Sequence, residues 1–245
     1  YRNVKDSARE TPSQYAERVA RAFPHDLKRS SDAPDAALLC RRLLAAQPDR
    51  SVTLVTVGFL TNLRDLLDSR PDEHSPLDGE ALVKQKVRVW VCMGGIFPAG
   101  RFPDGQGEYN LMWDTGASVR AVNDWPTPVV FSGFAIGAAI KVGARLRETP
   151  EANPVRGCYQ HYNGLQNREA WDQTAVLCAV RGVSSYWKLS EPGFCLMHAR
   201  VSQGWNEWIP TSQKEHRYLV EFMPPKEVGK VIEDLMLAPP RVRNR

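Results

Sequence analysis

Cys92-Met93-Gly94-Gly95 closes an apolar run that begins at Val87, and the reading of that run decides the fold. Val87 to Val91 (Val-Arg-Val-Trp-Val) is β-branched and aromatic with one charge, the composition of a buried strand. A glycine- and proline-rich loop follows the glycine pair and ends in Glu108-Tyr109-Asn110, after which Asp114 opens a helical run to about Asn123. In open α/β sheets ligands bind beyond the carboxyl ends of strands, so a site is expected at this junction. Glycines let a backbone approach a ligand closely, and a carboxylate two residues from an amide can hold vicinal hydroxyls. An ordinary strand-loop-helix connection with a surface carboxylate fits the same residues, because one glycine pair is a weak signal.

Moving upstream, Ser51 to Val57 (Ser-Val-Thr-Leu-Val-Thr-Val) is the strongest strand in the chain. It runs into Gly58-Phe59-Leu60, and Thr61-Asn62 starts a helix through Leu63, Leu66 and Leu67, a βα corner of the parallel-sheet type. Many α/β proteins have such a corner without chemistry there. Gly79 to Lys86 leads into the central strand. Earlier still, Gln14 to Phe23 has the spacing of an amphipathic helix, and Asp35 caps a second helix through Leu38, Leu39, Leu43 and Leu44. His25, between them, reads as a surface or capping residue or as a ligand-facing one.

Downstream, Thr127 to Ser132 is the next strand, Gly133 marks its end, and Phe134 to Leu146 reads as a helix. Three successive strand-to-helix units give a mainly parallel open sheet flanked by helices, an α/β, Rossmann-like architecture with right-handed crossovers. Pro150 to Asn167 reads as irregular and aromatic, and Arg168 to Val180 as a helix with Asp172 in its first turn beside Trp171. An aspartate there commonly just complements the macrodipole. Phe194 to Val201 and Arg217 to Phe222 alternate and read as an antiparallel hairpin or sheet edge, before a last helix over Glu227 to Leu237. The whole chain, 1–245, reads as a single domain.

Composition excludes several classes. Of 245 residues, 42% are hydrophobic and 24% charged, which is ordinary for a soluble globular protein. The formal net charge of +4 owes much to the tail Arg241-Val242-Arg243-Asn244-Arg245, and no basic face with interleaved aromatics stands elsewhere, so no nucleic-acid partner is expected. No apolar stretch approaches the roughly 18 residues of a membrane span, so no membrane partner is expected either. Cys40, Cys92, Cys158, Cys178 and Cys195 are scattered without a CxxC pair, which fits a reducing, cytoplasmic setting.

Taken in order, Val57-Gly58-Phe59-Leu60-Thr61-Asn62, then Met93-Gly94-Gly95 with Glu108-Tyr109-Asn110, then Trp171-Asp172, resemble the inosine/uridine-preferring nucleoside hydrolase family over about Ser51 to Val180. Ser190-Glu191-Pro192-Gly193 and the C-terminal hairpin are similar in style to a bacterial branch of it. The resemblance implies a calcium-dependent N-glycosidase of nucleoside salvage that splits a small-molecule ribonucleoside into base and ribose. It also implies that family members form dimers or tetramers, so a homo-oligomer is expected. By the same resemblance Val57, through its main-chain oxygen, and Asp172 are ligands of Ca2+, whose preference is for hard oxygen donors. Glu108 and Asn110 would hold the ribose hydroxyls, Met93 would line the sugar pocket, and Trp171 would face the base.

Two departures from the family pattern stand out. No Asp-x-Asp-x-x-x-Asp-Asp motif occurs in the chain, so the general-base aspartate is expected upstream of Tyr1, together with the first βα unit and a partner for the sheet edge. Trp171 stands where many members carry a histidine that protonates the leaving base. Either His161, on the preceding loop, replaces it, or the base stacks on Trp171 and takes its proton from solvent. A catalytically inactive nucleoside- or ribose-binding or structural homologue is the alternative to the enzyme. A cysteine hydrolase using Cys92 or Cys158 with His161 is a third reading, for which the sequence places no neighbouring base.

Overall fold

The structure, a computed structural model, is described for residues 14–199 and 204–239. Its elements begin with α1 (Gln14–Ala22), α2 (Ala36–Ala45), β1 (Val52–Thr56), α3 (Thr61–Leu67), α4 (Gly79–Lys86) and β2 (Val87–Met93). Then come α5 (Tyr109–Met112), α6 (Thr115–Asp124), β3 (Val129–Ser132), α7 (Phe134–Ala138), β4 (Lys141–Val142), α8 (Pro154–Asn163) and β5 (Arg168–Glu169). The last are α9 (Trp171–Arg181), β6 (Trp187–Leu189), β7 (Gly193–His198), β8 (Trp205–Pro210), β9 (His216–Glu221) and α10 (Pro225–Leu237).

The main sheet runs β1-β2-β3-β9-β7-β8, with β6 laid antiparallel on β9. Its first four strands are parallel, and the register sets Val55 beside Val91, Val91 beside Val130, and Phe131 beside Tyr218. Along β2, Trp90 and Cys92 enter one buried cluster with the leucines of α3, while Val91 and Met93 enter another with α9 and α10. Both faces of β2 are therefore covered, which is why its sequence is almost continuously apolar rather than alternating. The indole Nε1 of fully buried Trp90 donates to Thr56 Oγ1 at 2.9 Å, so the ring is buried without an orphaned donor.

Helix starts follow local chemistry. Asp35 accepts from the N–H groups of Ala37 and Leu38, and Asp114 from that of Ala117, as the capping residues require. Thr61 is the first residue of α3, where the sequence reading starts that helix. Its hydroxyl donates to Asp114 Oδ2 at 2.6 Å and so ties α3 to α6.

Three sequence expectations are corrected. The helix read over Phe134 to Leu146 is only α7, followed by β4 and a 3-10 turn at Ala144–Glu148. α7 ends at Ala138, and Gly143, at φ 119° with the Tyr159 ring against it, starts the 3-10 turn beyond β4. Pro150 to Asn167 is not irregular but contains α8, whose start has Asn153 as cap and Pro154 in the first turn, and whose end has Gly164 in the left-handed region. The hairpin partner of β7 is β8, while β9 lies inside the sheet, parallel to β3. Among the described residues, nothing pairs the outer side of β1. No helix among them is long and apolar enough to cross a membrane.

Candidate functional site

Parallel register brings the carboxyl ends of β1, β2 and β3 side by side: Thr56 lies beside Cys92, and Met93 beside Ser132. Each strand then leaves through a glycine, at Gly58, Gly94-Gly95 and Gly133. Gly95 adopts φ 85°, where a side chain is strained, and a Cβ there would meet the Phe97 ring at 2.7 Å. Its N–H donates to Glu108 Oε2 at 3.2 Å, and its carbonyl accepts from Phe134 N at 2.8 Å. One glycine thus joins the long loop to the start of α7.

Glu108 is 3% exposed and caps α5. Its Oε2 accepts from the N–H groups of Gly95, Asn110 and Leu111, whereas among the described residues Oε1 accepts only from Asn110. Burial, with the charge of Asp172 adding to it, pushes its carboxyl up to about 7 against the pull of those donors. Asn110 Nδ2 donates to the Met93 carbonyl at 3.2 Å and touches its sulfur at 3.0 Å. Met93, Glu108 and Asn110 are therefore one connected unit.

An aromatic wall stands beside this unit. Trp171 opens α9, and its indole Nε1 donates to the Phe134 carbonyl at 3.0 Å. Phe134 packs on Trp171 with ring centroids 5.3 Å apart, and Phe102 packs edge-on to Phe134 at 4.8 Å. Gly137 makes this packing possible, because a Cβ there would lie 2.4 Å from the Trp171 Cα. Asp172 follows in the first turn of α9 and reaches solvent. Desolvation raises its carboxyl, and the Arg168 charge lowers it. Val57, just past β1, is exposed at the same end of the sheet, where α9 packs across β1 and β2.

Of the remaining sequence candidates, His161 is exposed in the last turn of α8, and no hydrogen bond or ring contact among the described residues joins it to the residues above. Cys92 is fully buried with its thiol pushed up to about 12, which removes the thiolate a cysteine hydrolase needs. No group of three His, Cys, Asp or Glu that could hold a metal ion occurs among the described residues.

Sequence reasoning missed Asn206. From β8 its Oδ1 accepts the Ile96 N–H at 2.9 Å and its Nδ2 donates to the Ile96 carbonyl at 3.1 Å. It imitates a strand partner for the loop after Gly95. Two glycines make room for this docking: a Cβ on Gly100 would lie 2.0 Å from the Asn206 carbonyl oxygen, and one on Gly107 1.9 Å from that of Gly204. The available signal was the alternation Trp205-Asn206-Glu207-Trp208, in which the asparagine is the inward position.

A polar floor, an aromatic wall and backbone at strand ends suit a ligand with both hydroxyls and a flat ring. No family model matches the chain, and no curated protein matches it by sequence. Solved structures do match it. A plant nucleoside hydrolase superposes with a TM-score of 0.67 at 14% identity, over 94% of this chain and 76% of that one. A purine-preferring ribonucleoside hydrolase from Gardnerella vaginalis gives 0.60 at 16% identity, over 85% of this chain and 67% of that one. An inosine-uridine preferring nucleoside hydrolase from Bacillus anthracis gives 0.59 at 19%, over 84% of this chain and 66% of that one. The fold is thus that of nucleoside hydrolases, and the chain spans about two thirds to three quarters of the length of these structures.

Proposed function

We propose that this chain belongs to the inosine/uridine-preferring nucleoside hydrolases, in a bacterial branch, and splits the N-glycosidic bond of ribonucleosides to give base and ribose. The observation that carries this reading is the connected unit Met93–Glu108–Asn110 facing Trp171 and Asp172 at the strand ends. Oε1 of Glu108 keeps capacity for a ribose hydroxyl, and near pH 7 its carboxyl is poised to donate as well as accept. Asn110, anchored to the Met93 carbonyl, offers its Oδ1 to a vicinal hydroxyl. Trp171 has its N–H committed to Phe134, so it meets the base with ring surface rather than with a donor.

In the reaction a water adds to the anomeric carbon as the bond to the base nitrogen breaks. The bonding pair leaves with the base, which takes a proton from solvent, and the water gives its own proton to a carboxylate base. The hydroxyl grip of Glu108 and Asn110 steadies the sugar as it flattens toward an oxocarbenium-like state. We propose that this carboxylate base lies outside the described residues.

Calcium activation is a separate part of the reading. Asp172 and the Val57 carbonyl are two hard donors, whereas calcium takes about six to eight oxygens, so the described residues do not make a calcium site by themselves. Further oxygen donors, beyond the described residues, are required. Cytoplasmic nucleoside salvage and a homo-oligomeric assembly complete the proposal. The second reading, a non-catalytic nucleoside or ribose binder, is favoured by that same lack of converging carboxylates among the described residues.

The experiment is to incubate the protein with inosine, uridine, adenosine and cytidine, and to measure reducing sugar released beside calorimetric binding of ribose. Release of sugar that is lost in Glu108→Gln and Asp172→Ala supports hydrolysis. Binding without release favours the second reading, and neither binding nor release overturns both.

A further inference from the structure

The aromatic wall does not end at Trp171. The guanidinium of Arg168, on β5, lies 5.6 Å from the Trp171 ring centroid and 4.5 Å over that of Tyr162. Arg168 is half-buried, and among the described residues its side chain has neither a hydrogen bond nor a carboxylate in ion-pair contact. Its neighbours on the ladder are satisfied differently: Glu169 on β5 pairs with Lys141 on β4. The same applies to Arg145, which is bound to Glu148 and Asp234. Among the described residues Arg168 is thus a cation with no ion-paired carboxylate, although Asp172 and Glu169 lie near enough to feel its charge.

A guanidinium lying on ring faces uses its flat surface for cation–π contact and leaves its in-plane N–H donors pointing outward. Those donors match two oxygens of one phosphate group. The position is also right, since the charge of Arg168 is felt by Asp172 and by Tyr159, which flank the end of the site where Trp171 stands. A neutral riboside would leave the N–H donors of this guanidinium without a hydrogen-bond acceptor among the described residues.

We propose that Arg168 is the anion-recognising residue of the site and that the riboside bound there carries a phosphate group. The inference rests on the ribose placement argued above. A phosphorylated riboside lays its hydroxyls on Glu108 and Asn110, its ring on Trp171, and its phosphate in the fork of Arg168. Neutral nucleosides bind the same floor without that last contact. The competing role for Arg168 is structural, a screen for the Asp172 charge with no part in choosing the ligand.

The test compares ribose with ribose 5-phosphate by calorimetry at low and moderate salt, and inosine with inosine 5′-monophosphate in turnover. Arg168→Gln, Arg168→Lys and the control Arg101→Gln are measured beside the unaltered chain. Arg101 carries the same charge over the Trp205 ring at 4.8 Å but is exposed on the loop, so its loss reports only the change in overall charge. The expected result is a preference for the phosphorylated sugar of about tenfold or more, as charge-assisted hydrogen bonds provide, weakened by salt. That preference collapses toward one in Arg168→Gln, returns in part in Arg168→Lys, and persists in Arg101→Gln.

Equal binding of the two sugars, or equal losses for both in Arg168→Gln, overturns the inference while leaving the nucleoside hydrolase reading intact. A phosphate preference without bond cleavage does the reverse. If neither sugar binds, the ribose grip fails and the inference falls with it. A thermal melt of Arg168→Lys close to that of the unaltered chain separates lost recognition from lost folding.

Discussion

Gly95 donates its backbone N–H to Glu108 Oε2 across the span of the long loop, and the next peptide group, through the Gly95 carbonyl, accepts from Phe134. The polar floor and the aromatic wall are thereby joined at a single residue. Side-chain chemistry at Glu108 and ring placement at Phe134 and Trp171 are consequently not independent. A change at the glycine moves both.

Gly95→Ala tests that linkage. An added methyl group meets the Phe97 ring at 2.7 Å and sits at φ 85°, a combination that costs on the order of 1–3 kcal/mol. The expected outcome is a lower melting temperature together with weaker ribose binding. Gly105 is the control: it has a similar φ of 87°, but a methyl group added there meets nothing within 4 Å, so Gly105→Ala carries the backbone strain alone and leaves ribose binding unchanged. Equal loss of binding in both variants refutes the linkage.

Asn206→Ala removes a two-pronged clamp and leaves the Ile96 N–H and carbonyl without their partner. Each partly buried group left unpaired costs about 1–3 kcal/mol, less where water reaches it. We expect the loop between Gly95 and Glu108 to become the first site of proteolytic cleavage. Asn206→Asp keeps the acceptor for Ile96 N–H but sets an oxygen against the Ile96 carbonyl, so it is expected to fare no better than alanine. Limited proteolysis with the cut sites identified by mass spectrometry decides the matter, and unchanged protection of the loop refutes it.

What was legible in the sequence follows from these contacts. β1, β2 and β3 could be read because strands buried on both faces carry continuous apolar runs, and their helix starts because Asp35 and Asp114 cap locally. Glu108 and Asn110 could be picked out because the Gly94-Gly95 pair marks a strand end, whereas Met93 and Trp171 were named only through the family resemblance. The order of β9 was not legible: Arg217 to Glu221 alternates like an edge strand, yet its parallel pairing with β3 is set by contacts more than eighty residues apart in sequence. α8 was hidden by its aromatic content, although Asn153-Pro154 and Gly164 were start and stop signals in plain view. The commitment of the Trp171 N–H to the Phe134 carbonyl has no local sequence signal at all.

Trp171→Phe separates the two jobs of that residue. It deletes the hydrogen bond to the Phe134 carbonyl but keeps a ring face, so stability is expected to fall by about 1 kcal/mol. Nucleoside binding is expected to weaken only a few-fold, because stacking persists. Trp171→Ala loses the stack on Phe134 as well and is expected to weaken nucleoside binding far more than ribose binding. Calorimetry on inosine and ribose with both variants checks this, and equal losses for the two ligands refute a base-stacking role.

Glu108 and His216 give the protein two buried titrations of opposite sense. Burial pushes the Glu108 carboxyl up to about 7, so between an unfolded value near 4.5 and that point the unfolded chain has already lost the proton that the folded one keeps. Folding stability from Glu108 is therefore highest at acid pH and declines as pH rises through that window, by about 3 kcal/mol in full. Burial pulls the His216 imidazole down to about 4, so below an unfolded value near 6.5 the unfolded chain takes up a proton that the folded one refuses. Stability from His216 is fully present above that value and is lost by a similar amount as pH falls toward 4. The two contributions nearly cancel between about pH 4.5 and 6.5, and a flat melting profile is expected there for the unaltered chain. His216→Gln, which keeps an acceptor for the Cys195 N–H, is expected to stabilise the fold progressively as the solution is acidified through that range. Glu108→Gln is expected to do the opposite, on top of its loss of an acceptor for Gly95. Thermal melts of the three proteins from pH 4.5 to 7.5 check the pair, and parallel profiles for all three refute it.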